Sequence, residues 1–395
     1  MPSIRKLSLS CFRNLAEQQL LLGPGFNVFC GPNASGKTSI LEAVYVLSTN
    51  RSFRTHNSRF LIEFHAQNFT VHCEFLDKDG LVSNLGVRRA RSADDNELKL
   101  DGRPVRSSSI LAQTLPIIAI DPSHFALLSG PPKQRRQLLD WLVFHVKPEF
   151  FPAWRNYQRA LKQRNILLRH AKISYLDLLP WDRELLNAAV VLERLRRLVL
   201  EELVQALVFN PQTDDTDSKE CLTVDIRYQS GWPKSLSEGE PTDDVDALHS
   251  FLKAEFDKDR AQGFTRYGSH KFDMRLSVEQ QPAAEVLSRG QTKSFVIALY
   301  LAVARVFRFH TKGTPIFLLD DLPSELDQSR LNELWQELQR LDGQVLITGV
   351  DKSLFMAAET EAVAKRIHWF HVKHGQVSPE AEPVQGERTE AQKMN

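Results

Sequence analysis

The stretch GPNASGKT, residues 31–38, decides how the rest of the chain reads. It follows a short apolar run, FNVFC at 26–30, and opens a segment with helical spacing, SILEAVYVLS at 39–48. A glycine-rich turn between a buried strand and a helix is the setting in which such a loop holds phosphate. Gly31 and Gly36 let backbone amides turn inward into an anion nest at a helix N-terminus. Pro32, Asn33, Ala34 and Ser35 fill the turn, Lys37 offers a point charge to the β- and γ-phosphates, and Thr38, with Ser39 behind it, offers a hydroxyl to Mg2+. The loop therefore predicts a bound nucleoside triphosphate, with ATP and Mg2+ as the expected cofactors.

Two further signals lie far downstream. PIFLLDD, 315–321, reads as a buried strand ending in two carboxylates. That arrangement places Asp320 to hold Mg2+ and Asp321 to orient and deprotonate an attacking water. An apolar strand ending in acids is common by itself and gains its meaning beside the phosphate loop. LSRGQ, 287–291, precedes the apolar run SFVIALYLAVARVF. Ser288, the amide of Gly290 and Gln291 would form a second anion site at a helix N-terminus. One nucleotide needs no second phosphate site in the same molecule, so the economical expectation is that LSRGQ faces the γ-phosphate held by a second copy. A plain N-cap serine with a glycine turn is the competing reading.

Between these signals the period of the sequence changes. IRKLSLSCF (4–12) alternates, VHCEFL and VSNLGV flank the turn DKDG (77–80), ELKL and PV flank Asp101-Gly102, and LPIIAID (115–121) is a buried run. These predict strands and hairpins. From about 131 three amphipathic helices are expected: KQRRQLLDWLVFHV, PAWRNYQRALKQRNILLRHA and DRELLNAAVVLERLRRLVLEELVQALVF, the last two separated at Leu179-Pro180. Residues 210–247 are turn-rich and acidic with a strand at LTVDIRY, after which RLNELWQELQRL (helix), QVLIT (strand) and RIHWFHVKHGQV restore α/β patterning. The expected fold class is α/β, with a largely parallel sheet. Its core combines 1–130 with 265–377, a helical lobe with the acidic loop is inserted at 131–264, and the polar tail 378–395 reads as disordered.

Composition narrows the class. The 395 residues are 42% apolar and 25% charged, values that fit a packed globular core and leave no room for a fibrous or wholly disordered chain. Four scattered cysteines, Cys11, Cys30, Cys73 and Cys221, match neither a disulfide framework nor zinc spacing and suit a reducing compartment. MPSIRKLSLSCFRN offers no apolar leader run, and the apolar helix near 294–307 carries Arg305 and reads as too short to span a bilayer, so a cytoplasmic location is expected. Net charge is only +1, yet residues 133–197 hold fourteen Lys or Arg against six acids, while 210–260 hold six against thirteen. Such segregation suggests a basic surface and an acidic flank, or two solvated faces that differ in sign.

In this order the three motifs resemble those of the ABC-type ATPase heads of SMC and Rad50 proteins, and SELD (324–327) resembles their D-loop. IRKLSLSCFRNL, STNRSFRT (48–55), LLSGPPKQRRQLLDW (127–141), YGSHKFD (267–273), LSRGQTK and LLDDLPSELD together are similar to the RecF family of bacterial recombination mediators, over roughly residues 1–377. The resemblance implies a P-loop ABC/SMC-type ATPase head with an inserted helical lobe. It implies a DNA-binding protein of recombinational repair, replication and the SOS response, located in the cytoplasm at the nucleoid. Such a protein forms a homodimer on ATP, binds duplex DNA near single-strand gaps without sequence preference, and works with the mediators RecR and RecO to load recombinase. A weak DNA-dependent ATPase would act as its release timer. Arg13 and Asn14 are implied at the adenine or α-phosphate, and Arg54 there or on DNA.

The departures from that family pattern are specific. Ala34 stands where many members have glycine, the paired acids are Asp-Asp instead of Asp-Glu, and Gly349, beside Thr348, occupies the place of the ABC switch histidine. RecF-like proteins commonly lack that histidine. YGSHKFD departs from the usual Gly-Pro-His, and His270 reads as a satisfied structural histidine. Lys133, Arg135 and Arg136 suit either phosphate contacts or the helical lobe. A transporter ATPase would require LSGGQ and the switch histidine. A nuclease or toxin component would require a further carboxylate cluster, and a scaffold that binds ATP without DNA remains an alternative.

Overall fold

The computed structural model describes residues 2–77, 79–92, 96–170, 172–209, 224–237, 244–352, 355 and 367–380. Cys221, most of the acidic stretch 210–247 and the tail beyond 380 lie outside the described residues. From the N-terminus run β1 (Ser3–Ser10), β2 (Gln18–Leu21), β3 (Phe26–Cys30), α1 (Lys37–Thr49), β4 (Asn68–Leu76), β5 (Val82–Ala90), β6 (Glu97–Leu100), β7 (Arg103–Pro104), α2 (Ser108–Thr114) and β8 (Ile117–Ile120). Then come α3 (Pro132–Val146), α4 (Phe150–Leu167), α5 (Leu179–Ala206), β9 (Val224–Gln229), α6 (Lys234–Ser237), α7 (Val245–Ala254), α8 (Phe256–Gln262), β10 (Asp273–Val278) and β11 (Gln281–Pro282). The chain closes with α9 (Ala283–Val286), α10 (Arg289–Thr311), β12 (Ile316–Leu319), α11 (Gln328–Leu341), β13 (Val345–Gly349), β14 (Ile367–Lys373) and β15 (Gln376–Pro379).

Two compact units result, one from Met1–Pro122 with Gly313–Asn395 and one from Ser123–Lys312. In the first, an antiparallel sheet has the order β2-β1-β4-β5-β6-β7 and a second sheet the order β15-β14-β3-β13-β12-β8. From β14 to β8 every neighbouring pair in the second sheet is parallel. Its strands β3, β12 and β13 are buried along their whole length, as their largely apolar runs predict. Helix α1 is packed between the two sheets. Ile40, Leu41, Val44 and Leu47 belong to one buried cluster with Leu7, Phe69 and Val71 of the antiparallel sheet and Phe29, Leu318 and Leu346 of the parallel one. A helix apolar on nearly all sides is stable only when enclosed. Each such fully buried large side chain contributes roughly 1.5–3 kcal/mol. Asn50 then ends the helix in a left-handed turn at φ 56, where its amide still bonds the Val46 carbonyl.

The second unit packs α3, α4, α5, α7 and α10 with the small sheet β11-β10-β9. Pro180 sits in the first turn of α5, where proline is tolerated, so the break expected at Leu179-Pro180 is the start of one 28-residue helix. Helix α10 bears on two expectations. It packs on α3 and α5, so residues 265–312, which the sequence reading gave to the ATPase core, group with the helical unit. It also runs for 23 residues and, among the described residues, is the one helix long and apolar enough to cross a membrane. Of its most apolar window 61% is buried inside the protein, so its apolar surface is occupied by this core.

Three of the fourteen cations of the basic stretch, Arg135, Arg164 and Arg196, are buried. Arg135 makes a two-pronged bond to Asp273 at 2.8 and 2.9 Å and donates to the carbonyl of Leu127 at 2.7 Å. Arg196 grips Asp140 and donates to both the carbonyl and the hydroxyl of Ser269. Arg136 donates to the Phe272 carbonyl. The cluster at 133–136 therefore serves the helical unit at two of its three cations, the second of the two roles expected.

His270 is the satisfied structural histidine anticipated. Its Nδ1 pairs with the Tyr157 hydroxyl at 2.8 Å and its Nε2 with the Thr265 carbonyl at 3.2 Å. Burial holds its pKa down at about 4, from an ordinary 6.5. Because the unfolded chain takes up this proton first, stability is full above 6.5 and declines as pH falls towards 4. Urea unfolding at pH 5 should show this residue lowering stability by roughly 2 kcal/mol relative to pH 7. In His270→Gln that portion of the pH dependence should vanish; an unchanged slope would show that the ring does not titrate as assigned.

Candidate functional site

In a parallel sheet all strands leave by the same edge, and chemistry collects there. Here β3 delivers the 31–38 loop, β13 delivers Thr348, and β12 delivers Asp320 and Asp321. The register fixes their alignment, with Gly349 opposite Cys30 and Leu319 opposite Ile347. Thr38 Oγ1 donates to Asp320 Oδ1 at 2.9 Å, and Thr348 Oγ1 donates to the same oxygen at 2.8 Å. Thr348 Oγ1 also accepts the amide of Asp321 at 2.8 Å, which holds the chain where it turns left-handed, at φ 53. One hydroxyl thus positions both acids. Burial raises the Asp320 pKa, and the nearby Asp121 and Asp321 push the same way against the two threonine hydrogen bonds. A divalent cation at this carboxylate would relieve that cost.

The loop itself is shaped for an anion. A Cβ on Gly31 would lie 2.1 Å from the Val372 carbonyl oxygen, and Gly36 adopts φ 115 with Leu15 only 2.9 Å from where a Cβ would sit. Ala34 takes φ 62, so alanine follows the left-handed course that glycine takes more readily. Gly36 stands at the N-cap of α1 with no side-chain cap, which leaves the first amides of the helix for a ligand. Ser35 Oγ is buried without a hydrogen-bond partner. Lys37 Nζ donates to the carbonyls of Gly31 and Pro32 at 2.6 and 2.9 Å. Burial lowers its pKa, opposed by the charges of Asp321 and Asp320. An orphaned hydroxyl, uncapped amides and a lysine in one concave turn fit a phosphate group.

Two flanking residues are already engaged. Arg13 makes a two-pronged pair with Glu42 of α1 at 2.9 and 2.7 Å, and Asn14 Oδ1 accepts the Ser39 hydroxyl at 3.0 Å. Glu42 is fully buried, also accepts the Ser52 hydroxyl, and lies 3.8 Å from Arg54. Sequence reasoning missed Glu42 as the hub of this corner. A carboxylate inside the apolar run SILEAVYVLS was the available signal, since a buried charge demands partners.

The sequence matches the family described as RecF/RecN/SMC N terminal domain over residues 3–370. It is 42% identical over 379 residues to the DNA replication and repair protein RecF of Teredinibacter turnerae, covering 95% of this chain and 96% of that one. The chain belongs to the RecF family. The RecF of Saccharophagus degradans is 41% identical over 378 residues, with 96% and 99% covered. A solved structure of the recombination mediator protein RecF-ATP in the RecFOR pathway has the same fold, with a TM-score of 0.81 at 23% identity over 96% of this chain and 98% of that one.

Within this RecF-family chain Gly349, which stands in the place of the switch histidine, packs closely on Phe355. A Cβ at Gly349 would lie 2.7 Å from the Phe355 ring, so the ring would have to shift to admit a side chain there. LSRGQ belongs to the second unit. There Ser288 caps α10 by accepting the Gln291 amide at 3.2 Å, and Gln291 Oε1 accepts the Ser288 amide at 2.9 Å. Gly290 lies in the first turn between them. Within a single chain the motif is a complete capping box, the plainer of the two readings, with Ser288 still exposed to solvent. SELD likewise ends in a cap: Asp327 accepts the Arg330 amide at 2.9 Å.

Proposed function

We propose that this chain is an ATP-dependent DNA-binding protein of recombinational repair and replication-fork recovery. The observation that carries the reading is the three-strand junction of Thr38, Asp320 and Thr348 beneath a loop with an unpartnered buried hydroxyl. The backbone amides of the loop 31–39 other than Pro32, with Ser35 and Lys37, hold the phosphates, and Thr38 with Asp320 holds Mg2+. Bound Mg-ATP supplies the negative charge that joins two copies, with Ser288, Gly290 and Gln291 of one chain facing the phosphates of the other. Asp321 takes the proton from the attacking water. With glycine in place of the switch histidine, turnover is slow, and hydrolysis times the release of DNA.

DNA is held by its phosphates, near single-strand gaps and without base reading, so affinity falls steeply with salt. Relatives described in the RecFOR pathway support work alongside RecR and RecO, in the cytoplasm. Light scattering of the full chain with Mg-ATP, Mg-ADP or no nucleotide, with and without gapped duplex, tests the proposal. Dimer mass is expected with ATP alone, and a larger complex when DNA is added. A protein that stays monomeric and ignores DNA at saturating Mg-ATP overturns it.

A further inference from the structure

The segment 51–65, RSFRTHNSRFLIEFH, directly follows the loop helix α1, and the nucleotide reading leaves its outer surface unexplained. Leu61 and Ile62 are buried, while Phe60 is 63% and Phe64 85% exposed. Exposing two rings to water is unfavourable, yet the turn that carries them is firmly built. Asn57 caps the 3-10 turn Ser58–Leu61, Phe12 bridges to Ile62, and the Arg13 amide donates to the Leu61 carbonyl at 2.8 Å. Arg91 donates to the carbonyls of Ala66 and Phe64, both at 2.9 Å, and to that of Glu63 at 3.4 Å. The rings are therefore held outward by a braced backbone, with His65 set edge-on to Phe64.

The charge around them points to the occupant. Between 51 and 65 stand Arg51, Arg54, Arg59, His56 and His65 against a single acid, Glu63. All five of these basic side chains are exposed. Aliphatic side chains, which a protein-docking patch would use, are turned inward here. Rings alternating with arginines suit a polyanion that carries flat apolar groups. We propose that this segment is a stacking platform for single-stranded nucleic acid, with Phe60 and Phe64 carrying unstacked bases while Arg51, Arg54 and Arg59 neutralise the neighbouring phosphates. Base stacking on aromatic side chains tolerates any sequence and requires unpaired bases.

The platform is tied to the phosphate loop. Ser52 Oγ accepts the amides of Arg54 and Thr55, both at 2.9 Å, and donates to Glu42 on α1. It deepens the DNA-binding reading and rests on it, because the platform would set the preference for gaps over intact duplex.

The test is fluorescence anisotropy of the full chain in Mg-ATP with an oligothymidine strand and with a blunt duplex. Phe60→Ala/Phe64→Ala should weaken single-strand binding at least about thirtyfold, at the stacking strength of aromatic platforms. Duplex binding should stay within about threefold, because backbone contacts carry no stacking. Phe60→Trp/Phe64→Trp should restore single-strand binding, which separates stacking from folding. Arg59→Gln should reduce the salt dependence by about one phosphate contact. If wild type binds single strands and the double-alanine variant binds them equally well, the platform is wrong, its rings serve a protein partner, and the DNA reading stands. If wild type binds neither strand nor duplex, the DNA reading itself fails.

Discussion

Lys37→Ala should yield a protein that stays monomeric in Mg-ATP and releases DNA as readily as the nucleotide-free wild type. Two losses combine in this substitution. The ammonium is the charge proposed to meet the β- and γ-phosphates, and it also ties the turn together through the Gly31 and Pro32 carbonyls. Removing one partner of a buried charged contact costs about 2–5 kcal/mol, so ATP affinity should fall by roughly a hundredfold or more. Titration calorimetry gives that number, and light scattering with a gapped duplex gives its consequence. Lys37→Arg does not rescue, because a planar fork cannot occupy a pocket shaped for a point charge. Normal DNA retention by the alanine variant would refute ATP gating while leaving the fold intact.

The way the site is assembled explains which parts of it the sequence disclosed. GPNASGKT is local: eight consecutive residues fix the turn, the helix start and the lysine, so their roles follow without any knowledge of the rest of the fold. The apolar runs FNVFC, IFLL and QVLIT announce strands covered on both faces, and a parallel sheet follows from them. Their order and register are long-range properties. That Thr348 would meet Asp320, twenty-eight positions away, depends on β13 pairing beside β12, and nothing in VLITG specifies that neighbour. Sequence reading noticed Thr348 only as the residue next to a missing histidine.

The unit boundary was hidden for a similar reason. The apolar faces of α10 would satisfy any core, and only packing on α3 and α5 assigns them to the helical unit. The charge count treats each arginine as exposed. Arg135 and Arg164 are bound to acids more than ninety residues away, at Asp273 and Asp259, so part of the apparent basic surface neutralises buried carboxylates.

Arg164→Met should destabilise the helical unit by about 3–5 kcal/mol, the cost of stranding buried charge. The guanidinium is wholly buried and donates to Asp182 at 2.7 Å, to Asp259 at 2.8 Å and to the Thr265 hydroxyl at 2.7 Å. Those partners come from α5, α8 and the segment that follows α8, so one side chain holds three separate stretches of chain to α4. Methionine fills much of the volume, which confines the damage to the carboxylates: Asp182 loses its ion-pair partner, while Asp259 keeps Arg266 at 3.1 Å. Burial already raises the Asp182 pKa, opposed chiefly by Arg164, and without that cation the acid should take up a proton more readily in the folded state. The folded variant then binds more protons than its unfolded form, so its deficit should narrow as pH falls from 8 towards 5.5. Urea midpoints at the two pH values measure both effects. Arg164→Met/Asp182→Leu should recover part of the loss, since an apolar replacement for a buried pair costs far less than a broken one. A single variant within about 1 kcal/mol of wild type at both pH values would mean that water already reaches this cluster and that its charges are not stranded.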